Sequence, residues 1–368
     1  MTEGIFRKAG KINILELDGT YRQMGRQYGG LLKAQLGEFY DIVISKYLIK
    51  EERMSYVKLL VLARILFYRY PAKFKEMFKG MSEASGISLN KLIMLDQLNV
   101  FEMFRHQKIG HCSNISAWGD HSESGVLVFG RNFDQPEYFK KFSDFIAVVV
   151  FSPDDGIPFA NVGYAGQIGI NTAMNKKGII LANNEAPVLK GDAIHFNVLN
   201  ILVAEFEFMT KSNSLDELDG FIKNVRTNCP IIISTADARA AHTYELISSD
   251  KKRMSGNGSG LVVATNHFTD PSWERMAIPP GEYGMTGTRL NNLTSLAEIH
   301  KGRFNARKMQ ELLDITVDDG GATHKDDTIF QMVALPEEMK FYIKIPGLQD
   351  WTRIDLKAPF DRCDQKDR

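Results

Sequence analysis

Gly110–Gly119 reads GHCSNISAWG. After Cys112, polar and apolar residues alternate with the period of two that marks a half-buried strand. DHSESG then reads as a turn and GVLVFGRNFD as the returning strand, so Cys112–Asp134 is expected to form a hairpin. Upstream the texture is different. GTYRQMGRQYGGLLKAQLGEFYDIVISKYL sets Met24, Tyr28, Leu31, Leu32, Leu36 and Phe39 at helical spacing. Further helices are expected near Met54–Tyr68, over Pro71–Ser85, and over Leu89–Phe104 behind Ser88 as N-cap. Residues 1–111 therefore read as a mainly helical segment and 112–368 as a second, sheet-bearing unit. In the second unit FIAVVVF (Phe145–Phe151) is a buried strand, followed by strands near Gly169–Asn171 and Gly178–Asn183. Two helices follow, near Asn197–Met209 and Leu215–Val225, the latter with Ser214 and Glu217 in capping-box spacing. IIIST, TYELI and GLVVATNHF are strands, ARKMQELLDI a helix, and TIFQMVAL and KFYIKI the last strands. Strand groups separated by helix pairs predict an α+β layer sandwich.

The bulk numbers narrow the function. Lys+Arg and Asp+Glu are equal at 45 each in 368 residues, so the chain carries no basic field for nucleic acid and no acidic tail. A small-molecule partner is expected. The three cysteines, Cys112, Cys229 and Cys363, are odd in number and widely spaced, which predicts neither a disulfide framework nor a zinc knuckle. The first residues lack the apolar core of a secretory leader. The most apolar helical run, Tyr56–Tyr68, carries Lys58 and Arg64 and is too short to span a bilayer. A soluble, reducing, cytoplasmic setting without membrane contact is expected. HxxEH, P-loop and paired GxGxxG patterns are absent, so no metal, nucleotide or other cofactor is expected.

The chemistry centres on Cys112. Cys229 and Cys363 read as structural, but Cys112 shares a hairpin with Arg131 and Asp134. A guanidinium near a thiol favours the thiolate, and a carboxylate can hold an amine or orient the arginine. A cysteine nucleophile also needs a base and an oxyanion site. Two bases are available from the sequence. One is a histidine, with His267 in ATNHF the best placed of eight. The other is the α-amine of Cys112 itself, freed by cutting the chain before it, with a reference pKa of about 7.7–8.0. A third reading makes the chain a non-catalytic binding protein on a hydrolase scaffold. Asp326 and Asp327, in HKDDTIF, read as a solvated charge pair.

Five motifs in order resemble the cysteine N-terminal-nucleophile (Ntn) hydrolases, most closely the branch with isopenicillin N acyltransferase, choloylglycine hydrolase and penicillin V acylase. They are ILELDGTYRQMGRQYGGLLKAQ (Ile14–Gln35), HCSNISAWG with GVLVFGRNFD, AGQIGINTAMNKKGIILANNEAP (Ala165–Pro187), LVVATNHF (Leu261–Phe268) and TGTRLNNL (Thr286–Leu293). The resemblance implies a four-layer αββα sandwich preceded by the helical segment. It also implies a self-processing hydrolase or acyltransferase acting on the linear amide C–N bond of an N-acyl compound through a Cys112 acyl-thioester. The partners it implies are a small N-acyl amide and, for transfer, an acyl-CoA or an amine acceptor. On the same resemblance Cys112 is the nucleophile and its freed amine the base, and Arg131 and Asp134 steer the two. Asn266 donates to the oxyanion. Asn184, or its neighbour Asn183, gives the second oxyanion or amine contact, and Arg289 sits behind the site or binds substrate. His111 departs from the acyltransferase pattern, which has a small residue before the cysteine; its imidazole adds bulk at the scissile carbonyl or supplies a proton to the leaving amine. Pocket residues are expected from loops Asn161–Gln167 and Phe268–Tyr283.

Overall fold

IFRKAGKINILELDG, inside the stretch read as helical, folds as two strands, β1 (Ile5–Ala9) and β2 (Ile12–Gly19), paired antiparallel around Gly10 at φ +60°. Residues 12–17 are all buried, so β2 is covered on both faces. The computed structural model describes residues 3–106, 111–186, 194–248, 250–255, 260–270 and 283–364. The side chain of Cys363 and most of the Phe268–Tyr283 loop (271–282) lie outside the described residues.

The expected hairpin is present. β3 (Ser113–Ala117) and β4 (Val128–Asp134) pair antiparallel with Asn114 opposite Arg131. They lie in a six-stranded sheet ordered β12-β3-β4-β13-β14-β15, completed by β12 (Leu261–Ala264), β13 (Thr328–Leu335), β14 (Lys340–Ile345) and β15 (Gln349–Asp355). The other strands form a nine-stranded sheet ordered β1-β2-β5-β6-β7-β8-β9-β10-β11. Its remaining members are β5 (Ile146–Pro153), β6 (Phe159–Tyr164), β7 (Thr172–Asn175), β8 (Ile180–Glu185), β9 (Ile231–Ala236), β10 (Ala241–Leu246) and β11 (Lys251–Ser255). The strand expected at Gly169–Asn171 starts only at Thr172. β2 pairs parallel with β5, so the N-terminal segment supplies two strands of the larger sheet and is not purely helical.

Side-chain alternation assigns the layers. Ile115 and Ala117 of β3 pack with Leu293, Ala297, Met309 and Leu312 of the helices Thr286–Ile299 and Ala306–Leu313. Their neighbour Asn114 faces the other way, onto Asn184 and Ser234 of the nine-stranded sheet. On the far side of that sheet Phe151 and Phe159 pack edge-on against Phe206 of the helix Ile201–Lys211, which also meets Phe74 and Tyr21. The result is a four-layer αββα sandwich, as the motifs imply. The helices Tyr21–Leu31 and Ala72–Ser85 touch backbone to backbone: a Cβ on Gly25 would lie 2.0 Å from the Met77 carbonyl oxygen, and one on Gly80 2.2 Å from that of Arg22. The helix expected over Leu89–Phe104 is two helices, Leu89–Asp96 and Leu98–His106, broken at Gln97. Among the described residues no helix is long and apolar enough to cross a membrane.

Candidate active site

Cys112 stands just before β3 and is 2% exposed. Cys112 and Asn114 share one face of the strand, and the hairpin register sets Arg131 across from Asn114. Arg131 therefore reaches Cys112, with Nη2 3.7 Å from Sγ. Its other acceptors are neutral: Asn114 Oδ1 at 3.1 Å, Asn184 Oδ1 at 3.4 Å and the Asn183 carbonyl. The thiol donates to the Asp134 carbonyl at 3.6 Å. Burial pushes the thiol up to about 11; Arg131 pulls the other way and the Asp134 carboxylate adds to the rise. The thiolate-favouring effect expected of Arg131 is thus present but outweighed by desolvation in the uncut chain.

Asp134 is fully buried, and neither carboxylate oxygen has a well-formed hydrogen bond among the described residues. Burial raises its pKa to about 6, against Arg289 and the Thr328 hydroxyl, which favour the charged form.

Arg289, also fully buried, comes from the helix Thr286–Ile299. Its Nη1 donates to the carbonyl oxygens of His111 and, at 2.8 Å, of Cys112. Nη2 donates to Asn266 Oδ1 at 2.9 Å, and Nε to the Gly284 carbonyl at 2.7 Å. Asn266 is buried, its amide nitrogen donating to the Glu185 carbonyl at 2.8 Å.

The two adjacent asparagines of β8 point to opposite faces. Asn184 faces the smaller sheet: its Oδ1 accepts from Asn114 at 3.0 Å, and its Nδ2 donates to the Thr265 carbonyl at 3.0 Å. Asn183 lines a cavity that Cys112, Phe133, Asn171, Glu185 and Cys229 also line. Its Nδ2 donates to the Ile170 carbonyl and, at 2.6 Å, to Glu205 Oε2. Glu205 is wholly buried, and desolvation holds its carboxyl well above the ordinary carboxylate range. His267 faces a different cavity, with Glu245, Leu290 and Thr294 among its walls, and its Nδ1 lies 2.9 Å from the Thr286 hydroxyl.

The six candidate residues Cys112, Arg131, Asp134, Asn184, Asn266 and Arg289 are therefore linked through a chain of contacts around one point. Two contributors carry no strong sequence signal. Asn114 joins Arg131, Asn184 and Ser234; its position two residues after Cys112 on the same strand face is the clue. Asp327, expected to be solvated, instead pairs with His111 (Oδ2 to Nδ1, 3.0 Å), with the His324 ring beside it. Burial, with help from Arg289, pulls the His324 pKa down to about 4.

A family model described as acyl-coenzyme A:6-aminopenicillanic acid acyl-transferase matches residues 121–347 of this sequence. Among solved structures, the chain is similar to a mutant of conjugated bile acid hydrolase from Clostridium perfringens, with 14% identity, 67% of this chain and 93% of that chain covered, and a TM-score of 0.47. It is also similar to the N-acylethanolamine-hydrolyzing acid amidase ortholog of Caenorhabditis elegans (16% identity, 61% and 93% covered, TM-score 0.44). A third is penicillin V acylase from Agrobacterium tumefaciens (11% identity, 67% and 86% covered, TM-score 0.46). No curated protein matches the sequence.

Proposed function

The chain belongs to the acyl-coenzyme A:6-aminopenicillanic acid acyl-transferase family, and from that premise we propose that it is a self-processing thiol hydrolase or acyltransferase acting on small N-acyl amides. The observation that carries this reading is the contact of Arg289 with the carbonyl oxygen of His111, the residue just before a buried cysteine. A guanidinium on that oxygen is placed to stabilise the charge that develops when the carbonyl is attacked. In the first step Cys112 Sγ adds to the His111 carbonyl carbon. The C–N bond to Cys112 breaks, its nitrogen takes a proton, and a thioester forms between His111 and Sγ. Water then hydrolyses the thioester, leaving a carboxylate on His111 and a free thiol and α-amine on Cys112.

Turnover reuses the same groups. The amine takes the thiol proton as Sγ attacks the acyl carbonyl of the substrate, then returns it to the leaving amine. The acyl-thioester passes to water for hydrolysis or to an amine for transfer. Asp134, a buried carboxylate short of donors, suits the ammonium that cleavage creates beside it. Arg131 holds the thiolate, and Asn184 and Asn266 complete the polar wall.

The test is the intact mass of the denatured protein beside that of Cys112→Ala. Two fragments separated between His111 and Cys112, absent in the variant, are expected. One whole chain in both rules out self-processing. His267→Ala then decides whether a histidine base drives turnover in the intact chain.

A further inference from the structure

His111 Nδ1 and Asp327 Oδ2 are 3.0 Å apart, and the His324 ring centroid is 4.9 Å from that of His111. Each of the three side chains offers one ligand atom, and these atoms all lie within 4.8 Å of one another. An independent feature points to a missing partner: among the described residues His324 Nε2 is buried with no hydrogen-bond partner. A buried imidazole nitrogen with no donor or acceptor facing it is a free ligand for an ion. The opposite imidazole is fixed. A Cβ on Gly284 would lie 2.1 Å from His111 Cδ2, so this backbone seats directly on the ring.

We propose that His111, His324 and Asp327 form a binding site for a divalent transition-metal ion of the Zn2+ type. Two imidazoles and one carboxylate are the nitrogen and oxygen donors that Zn2+ takes, with the fourth position left to water. Ligand atoms around a tetrahedral Zn2+ with bonds of about 2.0–2.1 Å lie about 3.3 Å apart, so the cluster closes on an ion by small side-chain rotations. Asp134 faces the nearby charge of Arg289, whose guanidinium donates to the carbonyl oxygens of Gly284, His111 and Cys112 and to Asn266. One of the ligands, His111, is the residue on the acyl side of the His111–Cys112 bond. One further consequence rests on the self-cleavage reading: the carboxylate freed on His111 becomes a candidate fourth ligand, so the ion fastens the new C-terminus to the larger fragment.

Binding itself does not depend on cleavage. The test therefore uses the full-length Cys112→Ala chain, prepared without a histidine tag and dialysed against ZnCl2. One bound equivalent, weakened about tenfold or more by His324→Ala and by Asp327→Asn, is expected. No bound equivalent, or one that survives both substitutions, overturns the site. Co2+ gives a readout that needs no change to a ligand. The intense visible bands of a four-coordinate ion are expected, and the weak bands of the aqueous ion would overturn the proposal. The mass measurement is separate, so a chain that binds Zn2+ but never cuts refutes the cleavage reading alone.

Discussion

Arg289 spends one side chain on two carbonyl oxygens, one asparagine and the Gly284 backbone. Replacing it by alanine removes the donor on the His111 carbonyl. Loss of one oxyanion donor costs about 10²–10³ in rate, so a time course of chain cutting should slow by that order, with Arg289→Lys falling between. Asp134 makes a second prediction. Its pKa of about 6 lies above the ordinary 3.8, so the uncut fold favours the protonated acid. The stability this group contributes is whole below 3.8 and is lost as pH rises through about 6. In the uncut Cys112→Ala chain, Asp134→Asn should therefore raise the melting temperature at about pH 7.5 and leave it little changed at about pH 4. The gain is bounded by about 3 kcal/mol. No gain at the higher pH would show that the carboxylate is already satisfied, and an equal gain at both would show that ionisation is not the cause.

At the scale of elements, the hairpin was legible because β3 follows an alternating pattern and a turn joins it to the β-branched and aromatic run that opens β4, and that register alone puts Arg131 beside Cys112. β2 was not, because its short INILELDG pattern runs straight into the helix Tyr21–Leu31 and merges with the helical spacing that follows it. Which way Asn183 and Asn184 point was closed to the sequence: a one-residue shift along β8 reverses every side chain, and the pairing with β9 sets their directions. The role of Asp327 was hidden because its partner lies 216 residues away. The glycines of the helices Tyr21–Leu31 and Ala72–Ser85 set the distance between the two helices. Gly80→Ala drives a methyl into backbone that cannot rotate away, so a loss of about 1–3 kcal/mol in chemical denaturation is expected. Gly37→Ala, where a Cβ meets nothing within 4 Å, is the control and should be neutral or slightly stabilising.

For the molecule as a whole, the segment before Cys112 is not a detachable cap. β2 lies between β1 and β5, and its residues share one hydrophobic core with those of β5, β6 and β8. Cut chains should therefore co-elute as one species on size exclusion and part only in denaturant. Residues 112–368 expressed alone should be poorly soluble, because β5 would present a bare hydrophobic edge. Separation of the fragments under native conditions would refute this. The contact between Arg289 and the His111 carbonyl has a practical consequence. The two residues are 178 apart in sequence and meet only when both sheets and the helix Thr286–Ile299 are assembled. On the self-cleavage reading, a chain that has not folded cannot nick itself. The ratio of two short bands to one long band on a denaturing gel then counts how many molecules ever reached the native state, a folding assay written into the polypeptide that needs neither substrate nor probe.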